Sequence, residues 1–246
     1  MLFSSLTFIF IFLPLVLGIY FISKDKYKNT ILLVFSLFFY AWGEPKYIIL
    51  MIFSIIFNYF FGLLIDKYRT NKKLSVALLI FDIVMNLLML VMFKYSNFLI
   101  NTINDIFNLN IISISIFNKD ILKLTLPIGI SFYTFQMLSY IIDLYKGEVK
   151  VQKNILSLGT YVSLFPQLIA GPIVRYETIE NELKNRTHTF NKFVFGLKRF
   201  IIGLGKKVIL ANNLAFVADQ IIDSGNIGNY GTIIAWIAMF AYALQI

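Results

Sequence analysis

The 246-residue chain has no cysteine, a single histidine, five prolines and only 13 acidic residues. The missing cysteines exclude disulfides, thiolate metal sites, a thiol nucleophile and S-palmitoylation within these residues. Charged residues amount to 14%, against about 25% in soluble domains, so too few remain to coat a water-soluble surface. No Walker loop, GxGxxG turn, HExxH or GxSxG occurs, which argues against nucleotide-driven transport, dinucleotide chemistry, zinc proteolysis and serine-hydrolase chemistry. Gly203 and Gly205 before Lys206 and Lys207 mimic half a phosphate loop, but no strand precedes them. No internal repeat, low-complexity tract or soluble domain is visible.

What fills the chain is apolar. Hydrophobic residues make up 59%, with 26 Phe and 14 Tyr, where about 45–50% is usual. A soluble fold of this length has too little interior to hide that surface. The expected fold class is all-α, a polytopic transmembrane helical protein. Ser4–Ile22 lacks the basic start and small-residue cleavage site of a signal peptide and reads as a first span. Further spans are expected at Thr30–Trp42, Tyr47–Ile65, Leu74–Phe93 and Leu124–Tyr145, with another beginning at Gly231. That last run reaches Ile246 after about 16 residues without an anchor, short of the roughly 20 a span needs. A single membrane domain over 1–246, cut off at its C-terminus, is therefore the expectation.

The net charge of +9 needs no nucleic acid, because basic residues collect in cytoplasmic loops. With these spans alternating, every Lys and Arg except Lys46, Lys94, Lys119 and Lys123 falls on one side, taken as cytoplasmic. The N-terminus and the Asn97–Asn118 loop are then outside. Asn154–Val174 is apolar but flanked by basic segments on the same side, so it is expected to be re-entrant, broken by Gly159, Pro166, Gly171 and Pro172. Non-helical backbone at membrane depth survives only where protein or a water-filled cavity covers it, which makes this the first place to look for a site. Asn191–Ile222 is helical in pattern but too charged to span. Lys192, Arg199 and Lys206 share a face, and an interfacial helix lying on the headgroups is expected. The same cations also suit the phosphates of an acyl donor.

Polar residues inside spans are either interhelical hydrogen bonders or functional groups. The candidates are Asp82 with Asn86, the stripe Ser54–Asn58–Gly62, and Gln136, Ser139 and Asp143. His188 stands between threonines in a polar loop and reads as a solvated surface residue.

Four stretches carry a resemblance. They are Met1–Phe8 (MLFSSLTF), Phe39–Tyr47 (FYAWGEPKY), Leu126–Gln136 (LPIGISFYTFQ) running on to Leu138–Asp143 (LSYIID), and Phe165–Arg175 (FPQLIAGPIVR). In this order and spacing the chain resembles the membrane-bound O-acyltransferases, within them the alginate O-acetylation branch. The resemblance implies part of a helix ring around a funnel through the membrane, in a bacterial inner membrane. It implies acetyl transfer from a cytoplasmic donor, acetyl-CoA or another carrier, to an exported polysaccharide, with an extracytoplasmic acetyltransferase partner. No tightly bound cofactor or metal is expected. The family's catalytic histidine lies in a Trp-His segment expected beyond Ile246, so no catalytic residue is assigned here, His188 included, and residues 1–246 alone are expected to be inactive. Candidates for the substrate path or donor site are Asp143, Gln167, Gly171, Pro172 and Arg175, with Asp143 pairing to Arg175 or a nearby lysine. D-alanyl transfer to teichoic acid by the same family, a secondary transporter and a non-catalytic remnant stand as alternatives.

Overall fold

The structure is a computed structural model that describes residues 3–107, 127–168, 173–222 and 231–245. All regular elements among them are helices: α1 Phe8–Ile22, α2 Asp25–Gly43, α3 Ile48–Lys67, α4 Lys72–Lys94, α5 Ser96–Phe107, α6 Ile130–Lys146, α7 Ile155–Ser163, α8 Phe165–Leu168, α9 Tyr176–Lys184, α10 Phe190–Ile222 and α11 Gly231–Gln245. By length and composition α3, α4 and α10 suffice to cross a membrane, and α1 and α11 are shorter apolar helices. Lys119, Lys123 and the start of the span expected from Leu124 lie outside the described residues, as do Gly171 and Pro172.

Local chemistry explains the helix ends. The α1 backbone opens as a wider π turn over Phe8–Phe12 just before Pro14, whose missing N–H breaks the regular ladder. Helix α2 starts five residues before the expected Thr30, because its polar first turn is paired. Lys28 Nζ lies 2.7 Å from Asp25, and Asn29 Nδ2 donates to Ser157 Oγ at 3.0 Å and to the Leu183 carbonyl at 2.9 Å. Asn71 caps α4 by accepting from the Leu74 N–H.

The chain forms two compact units, residues 15–186 and residues 2–14 with 187–246. In the first, α6 is the central element. Tyr133, Met137, Tyr140, Ile141 and Leu144 are all buried, and the helix packs on α3, α4, α7 and α9. Gly62 lets α3 approach, since the Tyr140 ring lies 3.4 Å from where a Cβ would stand. The intramembrane amides settle into interhelical bonds. Asn58 and Asn86 bond reciprocally at 3.1 Å, and Asn86 also donates to Asp82 Oδ2 at 3.0 Å. Such pairs contribute roughly 0.6–2 kcal/mol each.

The basic loops gather at one end of this unit. Gly147, with φ +86°, leaves the space that the Arg69 guanidinium fills, joining the 67–73 turn to the end of α6. Tyr59 Oη donates to the Lys153 carbonyl, and Asn29 ties the start of α2 to α7 and α9. From that end, α7 and α8 run to Leu168, which lies against Gly129. Asp143, where the chain has returned by Arg175, is about 21 Å further along α6 at 1.5 Å per residue. Residues 154–168 thus lead away from the basic end, and Arg175 stands at it again beside Asp143.

In the second unit, no residue of Phe190–Ala211 is buried, while the α10 stretch Asn212–Ile222 packs on α11. As one continuous helix of 33 residues, α10 has the length of a span, which the interfacial expectation did not allow for. Lys206 and Lys207 sit near its middle, opening a π turn over Lys206–Ala211.

Gly129 adopts φ +77°, and a Cβ there would stand 2.9 Å from the Leu168 carbonyl oxygen. Gly129→Ala is expected to destabilise by at least about 1–2 kcal/mol, through left-handed strain and backbone contact. Gly203→Ala, with nothing within 4 Å, should stabilise by roughly 0.5–1 kcal/mol. Thermal unfolding in detergent would show opposite shifts, and equal melting temperatures would refute the packing described.

Candidate functional site

The site grows from the C-terminal half of α6. Tyr133, Gln136, Tyr140 and Asp143 recur at three- and four-residue steps, so they share one helix face. Asp143 is 1% exposed. A bare carboxylate at such a place costs several kcal/mol in lost solvation, and the chain supplies a partner from outside the helix. Arg175 Nη2 lies 2.8 Å from Asp143 Oδ1 and 3.6 Å from Glu148 Oε2. Lys146 Nζ is 3.8 Å from Glu148 Oε1, which completes a four-member charge cluster.

The pair is asymmetric. Asp143 is sealed, but the Arg175 side chain remains 51% exposed, so part of its fork of donors is available to a ligand. Its hydrogen bond to Asp143, with that carboxylate's charge, raises the guanidinium further above its ordinary high value. It is therefore charged at every physiological pH. Asp143 Oδ2 has no hydrogen-bond partner among the described residues.

Arg175 ends an irregular stretch and begins α9 with extended backbone. Behind it, Tyr161 Oη donates to the Val174 carbonyl at 2.8 Å. Gln152 Nε2 donates to Tyr176 Oη at 2.8 Å, and its backbone N–H donates to Tyr140 Oη at 3.0 Å. The rings of Tyr140, Tyr176 and Tyr161 meet edge to face at 4.9 and 5.3 Å between centroids. Burial pushes the Tyr176 phenol up, leaving it a neutral hydroxyl that can accept from Gln152. Gln167 spends its amide on the Tyr161 carbonyl, closing the end of α7.

Toward the other end of α6, Tyr133 Oη, Thr134 Oγ1 and Gln136 Oε1, with Tyr40 Oη from α2, are buried without partners among the described residues. Buried polar groups are nearly always satisfied, so a run of such atoms marks where water or a polar ligand belongs. An apolar cavity of about 330 Å³ between α3 and α4, lined by Phe53, Phe57, Met89 and Phe93 among others, contains no ionisable group and offers no comparable chemistry.

Of the residues singled out from sequence, Asp143 and Arg175 meet directly. Gln167 braces Tyr161 from half-buried α8. Gly171 and Pro172 lie outside the described residues. His188 is exposed in the loop before α10, in the other compact unit. Sequence reasoning missed Tyr133, Gln152, Tyr161 and Tyr176. Tyr133 was detectable, standing three residues before Gln136 on the same face, whereas the other three join the site only through long-range packing.

The apolar helices and the charged pair at the end of a polar helix face on α6 define a helical membrane protein. Residues 149–246 match the model of MBOAT, the membrane-bound O-acyltransferase family. The whole chain is 39% identical to a probable alginate O-acetylase AlgI of Pseudomonas aeruginosa and 38% identical to that of Azotobacter vinelandii, covering 46% and 48% of those proteins. It is 34% identical, over 280 aligned residues, to a peptidoglycan O-acetyltransferase of Helicobacter pylori, covering 51% of it. No solved structure matches. The chain resembles the membrane-bound O-acyltransferases and spans about half the length of the curated relatives it matches.

If Asp143 is what holds Arg175, Asp143→Asn should loosen residues 173–175 while the helix bundle persists. Protease cleavage after Arg175 in membrane vesicles is expected to accelerate about 10-fold, as for the loss of one charge-assisted hydrogen bond. An unchanged cleavage rate would refute the pairing.

Proposed function

We propose that this chain forms the donor-side part of a bacterial O-acetyltransferase that passes acetyl groups across the inner membrane to an exported polysaccharide. The observation that carries the reading is the match along the entire chain to relatives named as glycan O-acetylases. The acceptor we favour is an alginate-like glycan, because those relatives share more identity than the peptidoglycan enzyme does. Acetyl-CoA, or another acetyl carrier, is the donor.

In this reading the basic end of unit 15–186 faces the cytoplasm, the N-terminus is outside, and the chain crosses the membrane several times. Arg175 grips donor phosphate with the donors that Asp143 leaves exposed. A planar fork does this in a way an ammonium cannot. The unpartnered oxygens of Gln136, Thr134, Tyr133 and Tyr40 supply acceptors along the way outward, where an acetyl carrier would otherwise meet only hydrocarbon. Deprotonating the sugar hydroxyl needs a positioned base, which the family resemblance places in a Trp-His segment rather than at His188. An extracytoplasmic acetyltransferase partner completes transfer. Helix α10 lies on the cytoplasmic leaflet among membrane lipids. Crossing would put Lys206 and Lys207 near mid-membrane at about 2.5–3.5 kcal/mol each on insertion scales.

Two measurements test this. Lys72→Cys and Asp105→Cys, introduced singly, should label with an impermeant maleimide from opposite faces, and labelling from the same face would overturn the threading. In the full-length polypeptide that includes this chain, Arg175→Lys should raise the apparent KM for acetyl-CoA about tenfold with kcat little changed, the pattern of lost ground-state binding. Glycan-bound acetate in a strain lacking the enzyme is the readout. An unchanged KM would remove Arg175 from the donor site.

A further inference from the structure

We infer that Tyr161 is the positioning residue that presents Arg175, acting through the backbone on the N-terminal side of that arginine. Arg175 belongs to a short stretch without regular hydrogen bonding, and it is half exposed, yet both of its neighbours are anchored. On one side the Val174 carbonyl accepts from Tyr161 Oη at 2.8 Å. On the other, Tyr176 is fully buried, packed edge to face between Tyr140 and Tyr161 and bonded to Gln152.

Tyr161 links these anchors. It is 0% exposed, its ring packs on Tyr176, and its carbonyl is held by Gln167. Its hydroxyl also lies 3.4 Å from the Gln136 carbonyl of α6, so the hydroxyl is set against the same helix that carries Asp143. A guanidinium on a freely moving loop would spend binding energy on being ordered. Here the rotameric freedom left to Arg175 is that of its own side chain, and the ordering of its backbone comes from Tyr161. This is preorganisation of a ligand-gripping residue by packing around it.

Only the kinetic consequence of this role rests on the donor reading of Arg175, so the test has an arm independent of it. Tyr161→Phe removes the hydroxyl and keeps the ring, so the stacking and the fold should survive. In membrane vesicles carrying the full-length polypeptide, with acetyl-CoA as donor, Tyr161→Phe should raise the donor KM about 5-fold at nearly constant kcat, the size of one net hydrogen bond. In an Arg175→Ala background it should have no further effect, because the two residues act as a unit. Independently, the thiol of Arg175→Cys should react with maleimide about 5-fold faster when combined with Tyr161→Phe. Ser163→Ala, which removes a buried hydroxyl bonded only within α7, should leave that rate unchanged.

Additive KM effects in the two backgrounds, an unchanged thiol rate, or an equal acceleration by Ser163→Ala would each overturn the role. If Arg175→Ala leaves the donor KM unaltered while Tyr161→Phe still accelerates the thiol, the donor reading fails and the positioning by Tyr161 stands.

Discussion

Helix α6 carries Thr134, Gln136 and Asp143 into burial along with the hydroxyls of Tyr133 and Tyr140, and the need to satisfy those groups organises the unit around it. In an apolar interior each unmatched polar group costs on the order of 1–3 kcal/mol or more. Asp143 is met by Arg175 and Tyr140 by the Gln152 backbone, and both partners come from segments beyond the helix end. The return of the chain after Leu168 is thus coupled to the chemistry of one helix face. At Tyr133, Thr134 and Gln136 the helix leaves buried oxygens without a partner among the described residues, and the same constraint calls for water or a polar group there.

Charge governs the second level of organisation. Lys28 in the first turns of α2, Arg69 between α3 and α4, and Lys146 and Lys153 around the connection after α6 come from three segments, and Asn29, Gly147 and Tyr59 draw those segments to one end. A pattern that orients spans during insertion therefore also assembles the surface at which Arg175 is displayed. Gly147 is needed there because its positive φ and missing side chain make room for Arg69. Gly129 does the corresponding service at the opposite end, where α8 touches α6.

Much of the fold was legible in the linear pattern. Apolar runs without alternation announce helices, and the helical fold class and the family resemblance follow from runs and motifs that are local. Boundaries were less legible. The start of α2 at Asp25 depends on bonds from Asn29 to residues 157 and 183. The continuity of α10 through Gly203 and Gly205, and the π turn over Lys206–Ala211 that follows, are not encoded in composition. Asp143 and Arg175 were visible as polar residues in unexpected surroundings, since an ionisable side chain beside a broken apolar segment is costly unless used.

By itself the sequence determined that the chain lives in a membrane, that it is helical, which of its ends carry positive charge, and which family it resembles. These depend on transfer energies and short motifs, which sum along the chain without regard to distant contacts. Only the tertiary structure decided that Asp143 pairs with Arg175 rather than with a nearby lysine, and that Gln167 braces a tyrosine. It also placed three tyrosines and Gln152 on both sides of that arginine. Those outcomes turn on whether groups 6 to 32 residues apart arrive within about 3 Å of one another, and hydrogen bonds of that length form only after packing has chosen the neighbours.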